Sequence, residues 1–556
     1  MSIRILTSLV LIFTLISCKT SVEVENPKPE YPLYSPYFGG AHKFSNEDLK
    51  KIASNFDFVY GQTPTKEEMD LARSLNPSVQ FIRYIGGWAI NAAEAEKNLK
   101  RNIIYYPFAC LGEDISENTS IFKLDQFSGS DTIILKASTT RDSISLNSKN
   151  YVVWIRVGDE MMKVVDWNVA KKIVKVIRNF DGMGLSSHRK GDVTLLPAYY
   201  VAPDNTDMYG DPAEISYHLE PVSDGRWNRT YNMMKEFVNQ GGDGIWIDIL
   251  SDGCFGAFDI DGKGLINRQV NGKPILHSYW DFQKDTFFLR DDYRHYNEVG
   301  VNKIQERFRN EFGKEPVIYG NNLQAAKFEA GTGGCKYYLL PTEVKPKPVN
   351  GMCIEDFMGG YDEKDWNRYR KTKEYFIPGK TCYPCEKNYK NWVENVKEVM
   401  KCAQNGMSAI PLIINAGMKT AQFEGVPREQ RHEWELWAYA SYLIGVELKD
   451  GKCPTKLGIP MFYVENGKRF VDVDPVYYLR IGKPVETYPE DQILDYRKAG
   501  TEVFSRNFSG GTVLVNPSQD EFTVKLKRPL YDPDSGEKVS KITMKQLSGK
   551  ILLRRL

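Results

Sequence analysis

The stretch GGDGIWIDILSDG, residues 241–253, decides how this chain is read. Ile245, Trp246 and Ile247 run straight into Asp248, and Asp252 follows within a turn. A short apolar run bounded by glycines has the pattern of a strand buried on both faces. Aspartate is disfavoured in strands and is rarely buried without a partner. A carboxylate closing such a strand either caps or turns the chain, or is held out to something. Successive strand side chains alternate faces. Ile245, Ile247 and Ile249 therefore share one face, and Trp246 and Asp248 share the other.

Outward from this stretch, similar apolar runs alternate with helix-like segments between residues 31 and 446. They are LYSPYFGG, FDFVYG, VQFIRYIGG, NIIYYPFACLG, GIWIDIL, PVIYGNN, GMCIEDF and SAIPLIINAG. Strand–helix alternation predicts an α/β fold with a parallel sheet, and these eight runs predict a (β/α)8 TIM barrel. The alternative is a doubly wound open sheet, but no glycine-rich phosphate-binding turn follows the first run. Residues 114–200 break the rhythm with alternating, turn-punctuated runs such as YVVWIRVGDEMMKVVDW, predicting a small inserted β-domain. Residues 455–556 change character again, with strands joined at Asn-Gly and Gly-Gly, predicting a C-terminal antiparallel β-sandwich. The catalytic barrel is then expected over 31–113 and 201–450.

The N-terminus, MSIRILTSLVLIFTLISCKTS, has one arginine, a short apolar run and then Cys18. That run is shorter than the ~20 residues a spanning helix needs and has the layout of a secretory signal. Its end has the form of a bacterial lipobox, so residues 1–18 are expected to be a signal peptide ending at a lipidated Cys18. The Pro-punctuated residues 19–30 are expected to be a tether. This places the protein in the cell envelope, on the outer membrane, with the lipid anchor as its membrane contact. A net charge of +1 and the lack of a basic stripe argue against a nucleic-acid partner. The nine cysteines have no small-scaffold spacing. Cys382 and Cys385, in CYPC, fit a local disulfide or plain buried thiols better than a redox pair or half a zinc site. The six histidines form no spaced metal motif, and DIDGKG at 259–264 lacks the downstream glutamate of a calcium loop. No metal and no cofactor are expected.

Barrel active sites lie at the C-terminal ends of the strands, which is where Asp248 falls. In GMCIEDFMGG, alternation puts Met352, Ile354 and Asp356 on one face and Cys353, Glu355 and Phe357 on the other. With the apolar face on the helices, Glu355 points inward and pairs naturally with Asp248. Two inward carboxylates across a groove suit glycoside hydrolysis. One stays ionised, and the other, its proton held more tightly by burial and neighbouring charge, protonates the leaving oxygen. The competing reading makes each a strand-end cap or a salt-bridge partner for a barrel arginine such as Arg83. Tyr37, His42, Arg83, Trp88, Trp246, Asp252, Asn321, Asn322 and Asn415 fall at the same rim. They are candidates for binding sugar rings, or for satisfying loop backbone.

Together, DGIWIDILSDG, CIEDF and the tail FSRNFSGGTVLVNPS resemble glycoside hydrolases of the hypothetical TIM-barrel type, often lipoproteins of polysaccharide-degrading bacteria. The resemblance covers residues 31–530 apart from the insertion, which departs from the pattern. It implies Asp248 and Glu355 as the catalytic carboxylates, in roles that are interchangeable at this stage, and a sandwich tail containing the Asn516–Pro517 turn. The expectation is an exported lipoprotein glycoside hydrolase acting on a poly- or oligosaccharide, with glycan-uptake proteins as neighbours. The alternative is a glycan-binding surface lipoprotein on a degenerate barrel that no longer catalyses.

Overall fold

The computed structural model describes residues 28–37, 44–61, 64–86, 89–91, 105–125, 154–168, 170–197, 199–200, 216–218, 224–248, 250, 269–270, 273–281, 286–322, 339–354, 357, 385–411, 428–459, 462–465 and 468–556. Cys18, the signal segment and Cys382 lie outside them. No helix among the described residues is long and apolar enough to cross a membrane.

Eight strands form one parallel sheet: β1 (Leu33–Tyr37), β2 (Phe58–Gly61), β3 (Gln80–Ile85), β4 (Gly244–Ile247), β5 (Val317–Asn322), β6 (Gly351–Ile354), β7 (Ala409–Pro411) and β8 (Leu457–Gly458). They pair in chain order from β1 to β7, every pair parallel, and β8 pairs with β1. Lys456 N donates to Ala409 O at 3.0 Å on one side, and Leu457 N to Pro32 O at 3.1 Å on the other. The last strand thus joins β7 to β1 and the sheet closes, as in a (β/α)8 barrel. Helices α1 (Asn46–Asn55), α2 (Lys66–Leu75), α3 (Asp224–Asn239), α4 (Arg290–Phe312), α5 (Cys385–Gln404) and α6 (Arg428–Gly445) connect the strands.

Local chemistry explains the junctions. Capping boxes start α1 and α2, pairing Ser45 with Asp48 and Thr65 with Glu68. Each satisfies helix donors that would otherwise be orphaned. The glycines that open the decisive stretch end α3. Gly242 N donates to Phe237 O at 2.9 Å and Gly241 N to Val238 O at 3.0 Å, the paired bonds of a Schellman stop. Gly241, at φ +99°, takes the backbone shape that stop requires. Asp243 then clamps β4 to β3: its N–H donates to Phe81 O at 3.0 Å, and its Oδ2 accepts from Phe81 N at 2.7 Å and Arg73 at 2.6 Å.

Two assignments differ from the sequence reading. Tyr105–Leu111, from the run NIIYYPFACLG, is an antiparallel strand outside the barrel. The eighth barrel strand is Leu457–Gly458, beyond the expected barrel limit. Tyr105–Leu111 belongs to a ring of six antiparallel strands with Ile121–Asp125, Ile173–Ile177, Glu160–Asn168, Trp154–Val157 and Val193–Pro197; the last pairs back onto Tyr105–Leu111. Phe122, Leu124, Trp154, Met162, Val174 and Val176 are buried there. Trp154 Nε1 donates to Tyr105 Oη at 2.6 Å. Arg178 grips buried Glu160 with two bonds of 2.6 Å, which His188 shares at 2.9 Å. Trp280, in Lys273–Asp281, pairs with Tyr105, so the excursions leaving β3 and β4 are joined.

At the C-terminus, β9 (Phe504–Asn507), β10 (Gly511–Asn516), β11 (Phe522–Tyr531), β12 (Lys538–Met544) and β13 (Ser548–Leu553) form one antiparallel sheet of five strands. The expected sandwich would have two sheets. Here α6 covers one face so closely that a Cβ on Gly549 would stand 2.8 Å from Ala440 Cβ. The hairpin β11–β12 joins β13 through Tyr531. Val503, Leu514, Val524, Leu530, Met544 and Leu552 form a separate small core.

Candidate active site

Side chains from strands that are not neighbours meet inside the barrel. The rings of Phe58 on β2 and Tyr319 on β5 stack 4.4 Å apart at 19°, although β3 and β4 lie between them in the sheet. Trp246 stacks on Tyr319 at 6.0 Å and is fully buried. Lys456 Nζ lies 5.2 Å from the Phe58 centroid and 5.9 Å from that of Tyr319, as cation–π contacts require. Burial pushes the Lys456 ammonium below its ordinary range, while Asp57 opposes this. Burial pushes the Tyr319 phenol up. These residues form an aromatic floor.

Asp248 stands above that floor, one residue past β4. Its N–H donates to Ile85 O at 2.9 Å, extending the β3–β4 ladder by one step. Its carboxylate Oδ2 accepts a short hydrogen bond from the Tyr84 hydroxyl. Both residues are half-buried. Trp246 pairs with Tyr84 on one side and Tyr319 on the other, so all three share the inner face, as alternation predicts for Trp246 and Asp248.

The same rule turns Arg83 outward. Arg83 reaches Glu236 on α3 at 3.2 Å, on the helix side of β3. Its proposed sugar contact, and its alternative role as partner to a barrel carboxylate, do not fit that position; alternation places its neighbour Tyr84 inside instead. Trp246 points inward as expected but is packed into the floor with no exposed face, so it supports the site from below.

Tyr37 ends β1 and pairs with Gly61, which in turn pairs with Arg83. Asn321 and Asn322 end β5, paired with Cys353 and Ile354. Cys353 is buried and forms no disulfide among the described residues. Strand β6 stops at Ile354, one residue before Glu355. Glu355, His42, Trp88, Asp252 and Asn415 lie outside the described residues. Tyr84 was missed in the sequence, although VQFIRYIGG carries the alternation that reveals it. Among the described residues, no group of three or more His, Cys, Asp or Glu side chains is arranged to hold a metal ion.

No family model matches the chain, and no curated protein matches it by sequence. Its similarities are to solved structures. The glycoside hydrolase domain of PelA from Pseudomonas aeruginosa is 9% identical over 78% of this chain and 95% of that chain, with a TM-score of 0.32. Eubacterium rectale Amy13B is 10% identical over 96% and 97%, with a TM-score of 0.42. Bacillus licheniformis trehalose-6-phosphate hydrolase is 11% identical over 94% and 98%, also at 0.42. Likeness at this level carries no functional weight, and the fold rests on the strand order, register and closing bonds of the chain itself.

Chemically, the described part of the site offers a half-buried carboxylate fixed through both its backbone and its side chain. It sits at the strand end where barrels present reacting groups, above the buried rings of Phe58, Trp246 and Tyr319.

Proposed function

We propose that this protein is a glycoside hydrolase in which Asp248 is one of two reacting carboxylates and Glu355 is the other. The observation that carries this reading is Asp248 itself, which closes β4 on the inner face and is held there by the Tyr84 hydroxyl. Glu355 is proposed on the sequence alone, where alternation along CIEDF reads it as sharing the inward parity of Asp248. In the proposed reaction one carboxyl protonates the glycosidic oxygen. The other attacks the anomeric carbon or takes a proton from water, depending on their separation. The substrate class is a poly- or oligosaccharide. We also propose that the protein acts at the cell envelope, tethered through a lipid on Cys18, beside proteins that take up its products.

The test is product release from a panel of polysaccharides and aryl glycosides by the soluble form lacking the signal and tether. Asp248→Asn and Glu355→Gln are run alongside. The reading requires cleavage by the parent protein that falls by about 10²–10⁴-fold in each variant. A folded parent protein that binds a glycan on calorimetry and releases no product on long incubation would establish a binding barrel instead.

A further inference from the structure

We propose that the outer face of the β11–β12 hairpin binds an acidic polysaccharide, a chain whose sugars carry carboxylate or sulfate groups. The two strands, FTVKLKRPLY and KVSKITM, hold Lys525, Lys527, Arg528, Lys538 and Lys541 and no aspartate or glutamate. Lys545 follows directly after β12. Over the whole chain acidic and basic residues nearly cancel, leaving +1, so this concentration of cations is local.

Pairing of the strands brings the cations together. Phe522 pairs with Met544 and Val524 with Ile542, and these four side chains turn to the small core under the sheet. The alternate positions therefore form the outer face. There Thr523 stands opposite Thr543, their hydroxyls 3.2 Å apart, and Lys525 stands opposite Lys541. Beyond Lys525 the register shifts, and it resumes at Leu530 and Val539. Lys527, Arg528 and Pro529 lie in that irregular stretch, and all three are exposed. Bulges of this kind re-aim side chains out of the ladder.

Like charges directly opposite one another in a sheet are destabilising. Among the described residues, none of Lys525, Lys527, Arg528, Lys541 and Lys545 pairs with a carboxylate. The acids of the β11–β12 turn are engaged elsewhere, Asp532 with Lys550 at 3.1 Å, and Asp534 with Lys550 at 2.6 Å and His432 at 3.2 Å. The crowding reaches Lys498 as well. Burial, and then the charge of Lys527, push its ammonium below the ordinary range, against the pull of Glu486. Lysine on an edge strand discourages pairing with another chain. That accounts for Lys541, but it does not call for Lys525 opposite it or for Lys527 and Arg528 beside it. The fold gains nothing from this juxtaposition, whereas an anion from outside would relieve it.

The chemistry of the face selects the partner. Ammonium groups and a guanidinium fork bind carboxylate and sulfate oxygens, and the hydroxyls of Thr523 and Thr543 suit those of a sugar. None of the large apolar side chains exposed among the described residues lies on β11 or β12, so the face has no group to insert into a bilayer. Tyr531 is half-buried, with Lys538 5.3 Å from its ring, and leaves no aromatic platform for stacking nucleic-acid bases. A flexible polyanion lying along the strands can meet successive outward side chains, about 7 Å apart, with its repeating charges.

The test measures binding of the full chain, by calorimetry at low salt, to polygalacturonate and to dextran sulfate, with neutral dextran as the control. The parent should bind the acidic polymers and not dextran, and binding should weaken as salt is raised. Lys525→Gln/Lys527→Gln/Arg528→Gln should bind at least about tenfold more weakly, the loss expected for three exposed ionic contacts. Lys50→Gln/Lys171→Gln/Lys314→Gln removes the same charge from exposed sites elsewhere and should bind like the parent. Lys525→Glu separates binding from folding. It places a carboxylate opposite Lys541, so its thermal midpoint should equal or exceed that of the parent while its affinity falls. Equal binding by the parent and the hairpin variant, or an equal loss in both triple variants, overturns the inference. So does tighter binding, at the same salt, to phosphatidylglycerol vesicles or to single-stranded DNA. Binding is read without turnover, so the outcome is independent of the role of Asp248. A protein that cleaves a neutral glycan and binds neither acidic polymer would keep the hydrolase reading and lose this one. A protein that binds them through the hairpin and cleaves nothing would do the reverse.

Discussion

Arg506, on β9, is fully buried where the C-terminal sheet meets the end of α6. Its guanidinium donates to Ile444 O at 2.8 Å and Leu443 O at 3.3 Å, and to the carbonyl of Val446. It also reaches Glu486 O at 3.1 Å and pairs with Glu447 at 2.7 Å. One side chain from β9 thereby satisfies carbonyls that the last turn of α6 leaves without partners. In Arg506→Met these acceptors lose their donor and Glu447 keeps a buried charge without a counterion. Breaking such a pair costs about 3–5 kcal/mol. In native-state hydrogen exchange, at about 1.4 kcal/mol per factor of ten, amides of β9 and β10 should exchange roughly 100- to several-thousand-fold faster. Burial raises the proton affinity of Glu447, and Arg506 opposes that rise. Without Arg506 the carboxyl should hold its proton more tightly than in the unfolded chain. Its destabilising effect should therefore be small near pH 5 and grow as pH rises. Adding Glu447→Gln to Arg506→Met removes the stranded charge and should recover part of the loss at pH 8. Equal exchange in the parent and the single variant, or a loss independent of pH, would refute this account of the junction.

A second electrostatic seam joins α6 to the C-terminal sheet. His432 lies 2.8 Å from Asp474 and 3.2 Å from Asp534, and hydrogen bonds to Asp474 and then Asp534 push its ring up to about 10. The same contact, with Lys550, holds Asp534 down at about 2. Because the folded His432 value lies above the unfolded one, its contribution is complete below about pH 6.5 and fades as pH rises toward 10. The thermal midpoint of His432→Gln should lie well below that of the parent at pH 6 and approach it near pH 9.5; a gap that widens with pH would contradict the sign. Separately, a Cβ on Gly244 would fall 2.0 Å from Val317 O and 2.6 Å from Val317 Cβ. Gly244→Ala should destabilise the barrel by at least about 3 kcal/mol, the upper end of overpacking costs, because backbone cannot yield as a side chain can. Denaturation midpoints matching the parent would show that β4 and β5 are less closely joined than this.

Much of the barrel was legible because local periodicity carries it. GIWID shows its parity in five letters, and the structure places Trp246 and Asp248 on the face that parity predicts. Pairing partners are a different matter, since they are non-local. YYPFACL is apolar enough for a barrel strand, and nothing within it says that its neighbours will be Ile121–Asp125 and Val193–Pro197. Leu457–Gly458 is too short to announce itself, and becomes a strand only because Pro32 and Ala409 flank it. The C-terminal strands were visible from their turns, but their cover by α6 depends on Gly549, a single glycine that reads like any other. At the site the alternation rule was sound and incompletely applied. Carried along β3, it turns Arg83 toward α3 and brings Tyr84 to Asp248.

The most direct test of the central claim is turnover of a glycan by the parent protein and by Asp248→Asn at equal concentrations, with folding of both checked by circular dichroism. The account predicts that the parent releases reducing sugar and that the variant, equally folded and still able to bind the glycan, does so at least about 100-fold more slowly. Turnover within a few-fold of the parent would remove Asp248 from the chemistry and, with it, the reading of this barrel as a hydrolase built on the end of β4.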